Sequence, residues 1–311
     1  MTGLSYPSIA PAVAGDALTV HMGMKNPAVI ARKLRTLAAN KYIADAILRD
    51  RYQAQGGAVI FESPDTINSG EDPEAVGPGS SYPIVNLPGG SAALATVTNW
   101  GQDAIVTDTA ISRQLRTPVD RALNRLVNQN VKKVDGVALG VVTSQLSAAA
   151  ASPATWDTAT ADQILKSVAI PKASIGATGE GWNADTVVVT DLAWTYAMLA
   201  FVKAGYTPRE SLDTPALTGQ FPVIDGMTWL HSPNALTGTA LVLDTENLGG
   251  MADEKQDAPG YVSAGGDQTA PVEVKIIRDE DHDRYKVRAR RITVPVVLEP
   301  TAGLKVSGVG F

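Results

Sequence analysis

Few residues in this chain have the types and spacing that catalysis or metal binding requires. The sequence has three histidines and no cysteine, which excludes disulfides, thiolate metal ligands and a cysteine nucleophile. His21, His231 and His282 lie far apart along the chain and lack the spacing of metal ligands. The glycine-rich run 176–181 matches neither a phosphate loop nor a dinucleotide fingerprint. The sequence therefore predicts no catalytic residue and no cofactor.

The densest group of potential cation ligands is the turn at 279–283. It has four carboxylates in five residues, and hard cations such as Ca²⁺ prefer several oxygen ligands. The candidate ligands are Asp279, Asp281 and Asp283. The spacing and the glycine of an EF-hand loop are missing, so a solvated hairpin turn is the favoured interpretation and no metal is predicted.

The composition is that of a folded chain without the surplus of basic residues that is usual in nucleic-acid-binding proteins. Of 311 residues, 44% are hydrophobic and 19% are charged, which allows a buried core and suggests two compact domains. The net charge is −6 and the pI is near 5.1, whereas proteins that grip DNA are basic. Residues 1–16 lack a signal-peptide pattern, and no apolar run approaches the ~20 residues of a membrane span. The chain could enclose DNA without reading it.

Apolar side chains at helical spacing predict two helices. The first begins at an asparagine cap followed by proline and covers about residues 26–51. The second covers 118–146, roughly 43 Å at 1.5 Å per residue, which is too long for a small domain to cover alone. Gly136 and Gly140 weaken this helix locally and would leave a small-residue patch on which a sheet could pack.

Residues 53–105 are predicted to form a long two-stranded arm. Strand-like runs at 58–61 and 94–98 flank a Gly/Pro-rich connection that exceeds the ~12–15 residues of ordinary loops. An isolated hairpin is at best marginally stable in water. The arm therefore needs a surface to lie on, and the best candidate is another subunit.

Two linkers indicate an inserted α/β domain. Residues 147–154 and 256–271 are rich in small residues and proline, and strand and helix patterns alternate between them. Residues 272–298 then alternate apolar and charged side chains around the acidic turn, which predicts a β-hairpin. The chain is thus predicted to leave one domain at the first linker and to return to it after the second.

Opposite charges are segregated along the chain. No Lys or Arg lies between Arg51 and Arg113, where the charged residues are acidic, while 26–51 and 272–291 are rich in Lys and Arg. An acidic arm and basic bodies suit head-to-tail self-association, although each exposed pair contributes only ~0–1 kcal/mol. The predicted interface residues are Glu62, Asp65, Glu71, Asp72, Glu74, Arg32, Lys33, Arg35, Arg278, Arg284, Arg288 and Arg290. The acids could also serve only to keep the arm soluble.

The order of these elements resembles the major capsid proteins of tailed bacteriophages, whose Hong Kong ninety-seven fold is shared with encapsulins. The likeness covers nearly the whole chain, but it lies in element order and character and includes no short diagnostic motif. It implies an α+β protein with an N-arm and helix (1–52), an E-loop that lies over a neighbouring subunit (53–105), a peripheral domain with a spine helix (106–151 and 269–311) and an axial domain (152–268).

The resemblance also implies a function. The chain would assemble through pentamers and hexamers into an icosahedral shell around double-stranded DNA, with a portal protein and a decoration protein as further partners. It would be located in the virion capsid, and in the host cytoplasm during assembly. The E-loop has no lysine, so the isopeptide cross-links of the founding member are predicted to be absent. Because only a short arm precedes the first helix, a separate scaffolding protein is expected.

Two alternatives stay open on the sequence. An encapsulin shell has the same fold and packs an enzyme instead of DNA. A hydrolase or binding protein with a central α/β domain would need a convergent polar site there, for which only Asp191, Glu180 and His231 are candidates.

Overall fold

The chain divides into two compact units. The computed structural model describes residues 17–38, 42–63, 75–82, 84, 90–205, 223–256, 258–263 and 272–310. Unit 1 contains Met1–Tyr42, Val97–Val134 and Asp253–Thr293, and unit 2 contains Ile43–Thr96, Asp135–Ala252 and Val294–Phe311. Residues 1–16, the start of the predicted N-arm, lie outside the described residues.

The described ranges contain both helices and strands, with more residues in helices. The helices are α1 (Ala17–Met24), α2 (Pro27–Ala38), α3 (Ala44–Ile47), α4 (Asp108–Gln114), α5 (Thr117–Gln145), α6 (Ala161–Gly176) and α7 (Asp191–Ala204). The strands are β1 (Asp50–Gln53), β2 (Ala58–Ser63), β3 (Ser91–Thr96), β4 (Thr98–Thr107), β5 (Ser147–Ala148), β6 (Thr186–Val189), β7 (Val223–Ile224), β8 (Met227–His231), β9 (Thr239–Leu243), β10 (Gly249–Asp253), β11 (Val262–Ser263), β12 (Glu273–Asp279), β13 (Arg284–Val297) and β14 (Gly303–Ser307). Within these ranges, no helix combines the length and the apolar character needed to cross a membrane.

The predicted long helix is confirmed as α5, whose bounds differ by one residue at each end from 118–146. Its apolar residues recur at helical spacing and are buried, as Leu123, Leu126 and Val134 illustrate. The predicted small-residue patch is wrong within the described chain. A Cβ at Gly136 or Gly140 would meet no atom within 4 Å, so no sheet packs closely there.

The predicted first helix is wrong in its length. Its asparagine cap is present, since Asn26 Oδ1 accepts the backbone N–H of Ala28 at 3.2 Å, but α2 ends at Ala38. A separate short helix, α3, begins where the buried Asp135 carboxylate accepts the backbone N–H groups of Ile43 and Ala44 at 3.3 and 3.0 Å. A cap supplied from a distant residue starts a new helix here, and the local pattern could not reveal it.

Unit 1 is built on an antiparallel ladder around β13. One edge of β13 pairs with β12, from Arg284 opposite Asp279 to Arg290 opposite Glu273, and β11 extends the sheet beyond β12. The hairpin predicted over 272–298 is therefore confirmed, and its turn is a short 3₁₀ helix followed by Asp283 in the left-handed region. The other edge of β13 pairs with β4. Residues 98–105 thus belong to this sheet, although the sequence analysis placed them in the arm.

Unit 2 has a mixed six-stranded sheet in the order β5-β14-β9-β6-β8-β7. Strand β6 is buried at all four positions, parallel to β8 and antiparallel to β9. Trp229 on β8 is fully buried, with its ring about 6 Å from those of Trp156, Trp194 and Phe201. Strand β14 pairs with β9, so the C-terminal residues complete this core. The sequence analysis placed them with the peripheral domain instead.

Strands β2 and β3 form a separate two-stranded sheet in unit 2. Ala58 lies opposite Thr96 and Ser63 opposite Ser91, in an unbroken antiparallel register. The sequence runs at 58–61 and 94–98 therefore pair with each other as predicted, with β3 shifted toward the N-terminus. One face of this hairpin is half-buried and the other is exposed.

Glycine is required where β10 meets its neighbours in unit 2. A Cβ at Gly250 would overlap the backbone carbonyl of Asp50, and one at Gly249 would overlap that of Val296. Gly249 also has a φ of 139°, which other residues rarely adopt. The two glycines therefore allow a close approach of three backbone segments.

Candidate assembly surfaces

The predicted basic interface residues of the β12–β13 hairpin already have partners inside the chain. Arg278 donates two hydrogen bonds of 2.7 Å to the Asp108 carboxylate, and Arg288 donates two of 2.7 and 2.8 Å to Asp103. These hydrogen bonds hold the pKa values of Asp108 and Asp103 below their ordinary values. The pairs link β13 and its neighbour β12 to the β4–α4 segment, so they stabilise unit 1 itself.

Two neighbouring arginines on β13 are buried with acidic partners. Arg290 Nη2 lies 2.6 Å from the Glu273 carboxylate, and its guanidinium lies 3.7 Å from the Tyr261 ring centroid. Arg291 is fully buried, with its Nε 3.0 Å from Asp253 Oδ1. Arg290 therefore has little surface to offer a neighbouring subunit, and its predicted interface role stays a prediction.

Basic side chains contact the acidic turn 279–283 at Asp279. The Asp279 carboxylate lies 2.9 Å from Lys286 Nζ and 2.8 Å from Arg284 Nε, and the hydrogen bonds from Lys286, Arg284 and His282 hold its pKa well below the ordinary value. No cluster of three ligand-type residues suited to a metal occurs in the described part of the chain. Of the three candidate ligands, Asp279 forms salt bridges with Arg284 and Lys286. Asp281 and Asp283 lie in the turn beside it.

The N-terminal helix and the acidic arm are described in part. Arg32 is exposed on α2, and Lys33 forms an ion pair with Asp120 of α5 within unit 1. The side chain of Arg35 lies outside the described residues, as do Asp65, Glu71, Asp72 and Glu74. Glu62 is exposed on β2. The interface role of all these residues stays a prediction.

The structure brings together two of the three candidates for a hydrolytic site. His231 Nδ1 at the end of β8 lies 2.6 Å from Asp191 Oδ1 at the start of α7, and the imidazole stacks on Trp194 at 6.0 Å. An acid in the first turn of a helix is favoured by the helix dipole, which gives Asp191 a structural reason to be there. An Asp–His pair orients a proton acceptor, but hydrolysis also needs a nucleophile and an oxyanion site.

An open groove of about 550 Å³ lies between β4 and the N-terminal half of α5, inside unit 1. Its apolar lining includes Ala104, Ile105, Pro118, Ala122 and Leu126. Its basic lining consists of Arg121 and Arg125, which lie one helical turn apart and are both exposed. The sequence analysis did not single out this groove, because β4 and α5 form it only after β4 has joined the sheet of β13.

A family model described as phage capsid protein matches residues 91–306, which is more than half of the chain. The chain belongs to this phage capsid family, and its role is structural, in the virion capsid. The predicted family is thereby confirmed.

Solved structures agree with this fold at low sequence identity. A phage-related protein from Bordetella bronchiseptica RB50 matches with a TM-score of 0.54 at 11% identity, covering 90% of this chain and 97% of that one. The virus-like particle from Pyrococcus furiosus matches with 0.58 at 7% identity, covering 89% and 97%. The phage G major capsid and decoration protein structure matches with 0.53 at 14% identity, covering 87% and 91%. No curated protein matches the sequence.

Proposed function

We propose that this chain is the major capsid protein of a tailed phage and that it assembles through pentamers and hexamers into an icosahedral shell around double-stranded DNA. The observation that carries the proposal is the exposed face of the β2–β3 hairpin. Ile60 and Leu94 lie directly opposite each other there and are 76% and 63% exposed. An apolar cross-strand pair on a two-stranded sheet is a surface for another subunit to cover.

The proposal also assigns segments of this chain to the parts of a phage capsid subunit. The hairpin belongs to an E-loop, predicted over 53–105, that ends before β4 joins the sheet of β13. The chain before it is an N-arm at 1–52. Helix α5 is the spine helix of a peripheral domain, which was predicted to be completed by 269–311 but does not include β14, because β14 pairs with β9. The axial domain, at 152–268, contacts its copies around the symmetry axes. A portal protein, a scaffolding protein and a decoration protein are the expected partners, with assembly in the host cytoplasm.

The shell is proposed to enclose DNA without gripping it. The net charge of −6 gives no overall attraction for phosphates, and several arginines of unit 1 are neutralised by carboxylates of the same chain. A protein in this role performs no chemistry, so no enzymatic activity is proposed.

Expression followed by gel filtration and negative-stain microscopy tests the proposal. Closed shells, or rings of five and six subunits, are the expected products. A chain that stays monomeric at high concentration, with and without candidate scaffolding protein, would contradict the assembly role.

The second candidate is an encapsulin shell; a virus-like particle from Pyrococcus furiosus has a similar fold. Particles isolated from the native source separate the two functions. Tailed, DNA-filled particles support the phage capsid, and small tailless shells filled with protein support the compartment.

The shell is further proposed to lack E-loop isopeptide cross-links, because no lysine occurs between Arg51 and Arg113. Denaturing electrophoresis of purified particles should show one band near 32.5 kDa. A ladder of covalent oligomers would refute this part of the proposal.

The acidic residues of the arm are proposed to guide assembly. Charge reversal at Glu71, Asp72 and Glu74 should reduce the yield of particles while leaving the folded subunit intact, as judged by circular dichroism. Normal particles from this triple variant would remove the electrostatic argument.

A further inference from the structure

The segment of unit 1 that contains α4 and the first half of α5 is rich in basic residues. Residues 109–133 contain six Lys or Arg and one acid, Asp120, in a chain whose net charge is −6. Asp120 is already paired with Lys33 and Arg116. The local charge is therefore opposite in sign to that of the whole chain, which makes the segment a candidate surface for an anionic partner. The six cations are Arg113, Arg116, Arg121, Arg125, Lys132 and Lys133.

Three of these cations form one line along the helix. Arg121, Arg125 and Lys132 are exposed and lie at i, i+4 and i+11, which brings them to the same face of α5. Asn128 lies on the same line, so an amide separates Arg125 from Lys132 where an acid would have neutralised them. Among the residues that the structure describes, none of the three cations has an ion-pair or hydrogen-bond partner. These four residues form the α5 stripe.

The α5 stripe lies between α2 and β4, on the side of α5 opposite its buried residues. Lys33 of α2 pairs with Asp120 on one side of the stripe, and Lys133 Nζ lies 4.7 Å from the ring centroid of Trp100 of β4 on the other. Because neighbouring residues of a strand point to opposite faces of the sheet, Asn99 lies on the face that is turned away from α5. The stripe and Asn99 therefore mark two different surfaces of unit 1.

The side chains around the stripe distinguish a nucleic acid from a protein as the occupant. Protein interfaces have a core that is enriched in aromatic residues and depleted of charge. Between Thr117 and Lys133, every exposed side chain of α5 is polar or charged. Arg, Lys, Asn and Gln are side chains that contact the phosphate oxygens of DNA, and they make up nearly all of this surface. The exposed side chains are those of Thr117, Arg121, Asn124, Arg125, Asn128, Gln129, Lys132 and Lys133.

We infer that the α5 stripe faces the interior of the shell and binds the phosphate backbone of the packaged DNA duplex without reading its sequence. The inference rests on the proposed function, which supplies the DNA, and it adds the surface of the subunit that contacts the DNA. The stripe spans about 17 Å at 1.5 Å per residue, and the same length of one DNA strand carries about five phosphates. Three cations can therefore meet phosphates in many registers, and no contact with a base is needed.

Three phosphate contacts per subunit are few. When three phosphates are neutralised, the slope of log affinity against log salt concentration is about −2.7, so the affinity falls about 40-fold between about 50 and 200 mM salt. The contact made by one subunit is thus weak at physiological salt, and every copy in the shell repeats it. This weakness agrees with a shell that encloses DNA without gripping it.

Duplex binding by the unassembled full-length chain measures the contact directly. A short fluorescent DNA duplex is titrated with protein at several salt concentrations, and fluorescence anisotropy gives the affinity. Arg121→Gln/Arg125→Gln/Lys132→Gln should bind at least about tenfold more weakly than the unmodified chain, and the salt slope should become shallower by about 2.7. A duplex of shuffled sequence should bind with the same affinity as the first duplex.

The matched control for this triple variant is Lys166→Gln/Lys203→Gln/Lys255→Gln. It removes the same total charge from exposed positions outside the stripe, so it should keep the salt slope of the unmodified chain. Circular dichroism of both triple variants checks that the subunit is folded.

Cross-linking to packaged DNA tests the same surface in intact particles. Because the sequence has no cysteine, Asn128→Cys introduces a single thiol. Filled particles are treated with a small thiol-reactive aryl azide and illuminated, and protein that stays on the DNA after denaturation is measured. The control is Asn99→Cys, which places the same exposed residue type on the opposite surface. DNA-linked protein is expected from Asn128→Cys and not from Asn99→Cys.

Several results would overturn the inference. A triple variant of the stripe that binds duplex as tightly as its control, or an unmodified chain that binds no duplex at low salt, excludes the phosphate contact. If the stripe variant forms no particles while its control assembles, the stripe contacts a neighbouring subunit instead of DNA. No cross-link at Asn128→Cys, or an equal one at Asn99→Cys, excludes this surface as the DNA contact. If the chain binds duplex through the stripe but forms no shell, only the proposed function fails, so the two failures are distinguishable.

Discussion

Removal of one partner from the buried Arg291–Asp253 pair is expected to destabilise unit 1 strongly. Arg291 has no exposed surface, and its Nε and Nη2 lie 3.0 and 3.2 Å from the two Asp253 carboxylate oxygens. The ring of Tyr42 lies 5.0 Å from the guanidinium carbon. Asp253→Ala leaves this charge buried without its carboxylate, which costs ~3–5 kcal/mol in the free energy of unfolding.

Urea unfolding of unassembled subunits, followed by tryptophan fluorescence, measures the effect. With a urea dependence of about 1–3 kcal/mol per molar, the transition midpoint should fall by roughly 1–5 M. Protein concentration must be equal and low in all samples, because assembly binds only the folded chain and would raise its apparent stability.

Two variants serve as comparisons. Arg116→Gln breaks an exposed pair of 3.2 Å with Asp120, and it should change the free energy of unfolding by no more than ~0.5 kcal/mol. Asp253→Leu/Arg291→Met replaces both buried charges with apolar groups and should return to within ~1 kcal/mol of the unmodified chain. The reasoning is refuted if Asp253→Ala shifts the midpoint no more than Arg116→Gln, or if the double variant is as unstable as Asp253→Ala.

Three further predictions concern pH, backbone approach and core packing. Below about pH 4, unit 1 should lose stability as three carboxyls with depressed folded-state pKa values are protonated: Asp103, Asp108 and Asp279. Their stabilisation is complete above the unfolded value of ~3.9 and is lost as the pH falls through the folded values, so urea midpoints that do not change on acidification would contradict it. Gly250→Ala should prevent folding of the subunit, because the added Cβ would overlap the Asp50 carbonyl. Gly140→Ala should stabilise α5 by ~1 kcal/mol, because its Cβ would meet no neighbouring atom. Thermal unfolding tests both variants, and equal melting temperatures for the two would contradict the geometry. Trp229→Ala should cost ~3–5 kcal/mol by leaving a cavity among aromatic rings, and a loss below about 1 kcal/mol in urea unfolding would exclude that packing.

Elements that depend on neighbouring residues could be predicted from the sequence. The spacing of apolar residues defined α5 to within one residue at each end, since a helix buries one face at a period near 3.6. The alternation of apolar and charged residues around the acidic turn predicted the β12–β13 hairpin. The runs at 58–61 and 94–98 predicted two strands that face each other, and β2 and β3 pair in one sheet. The order of these elements was also sufficient to indicate the capsid family.

Features that depend on distant residues were missed or placed elsewhere. The start of α3 depends on Asp135, which is about ninety residues away, and β14 joins β9 from the far end of the chain. The arm was predicted to extend through residue 105, whereas residues 98–107 form β4, which pairs with β13. Strand patterns identify a strand but not its partner, because pairing depends on which surfaces the rest of the fold leaves available.

The sequence by itself determined the hairpin arm, the long helix, the segregation of acidic and basic residues and the lack of any catalytic motif. Only the tertiary structure decided which charges remain available to a neighbour. Arg278, Arg288 and Arg290 are paired with acids up to 185 positions away, while Arg121 and Arg125 are left exposed at a groove. Charge is a property of each residue, but its availability depends on the groups that folding places within a few ångströms of it.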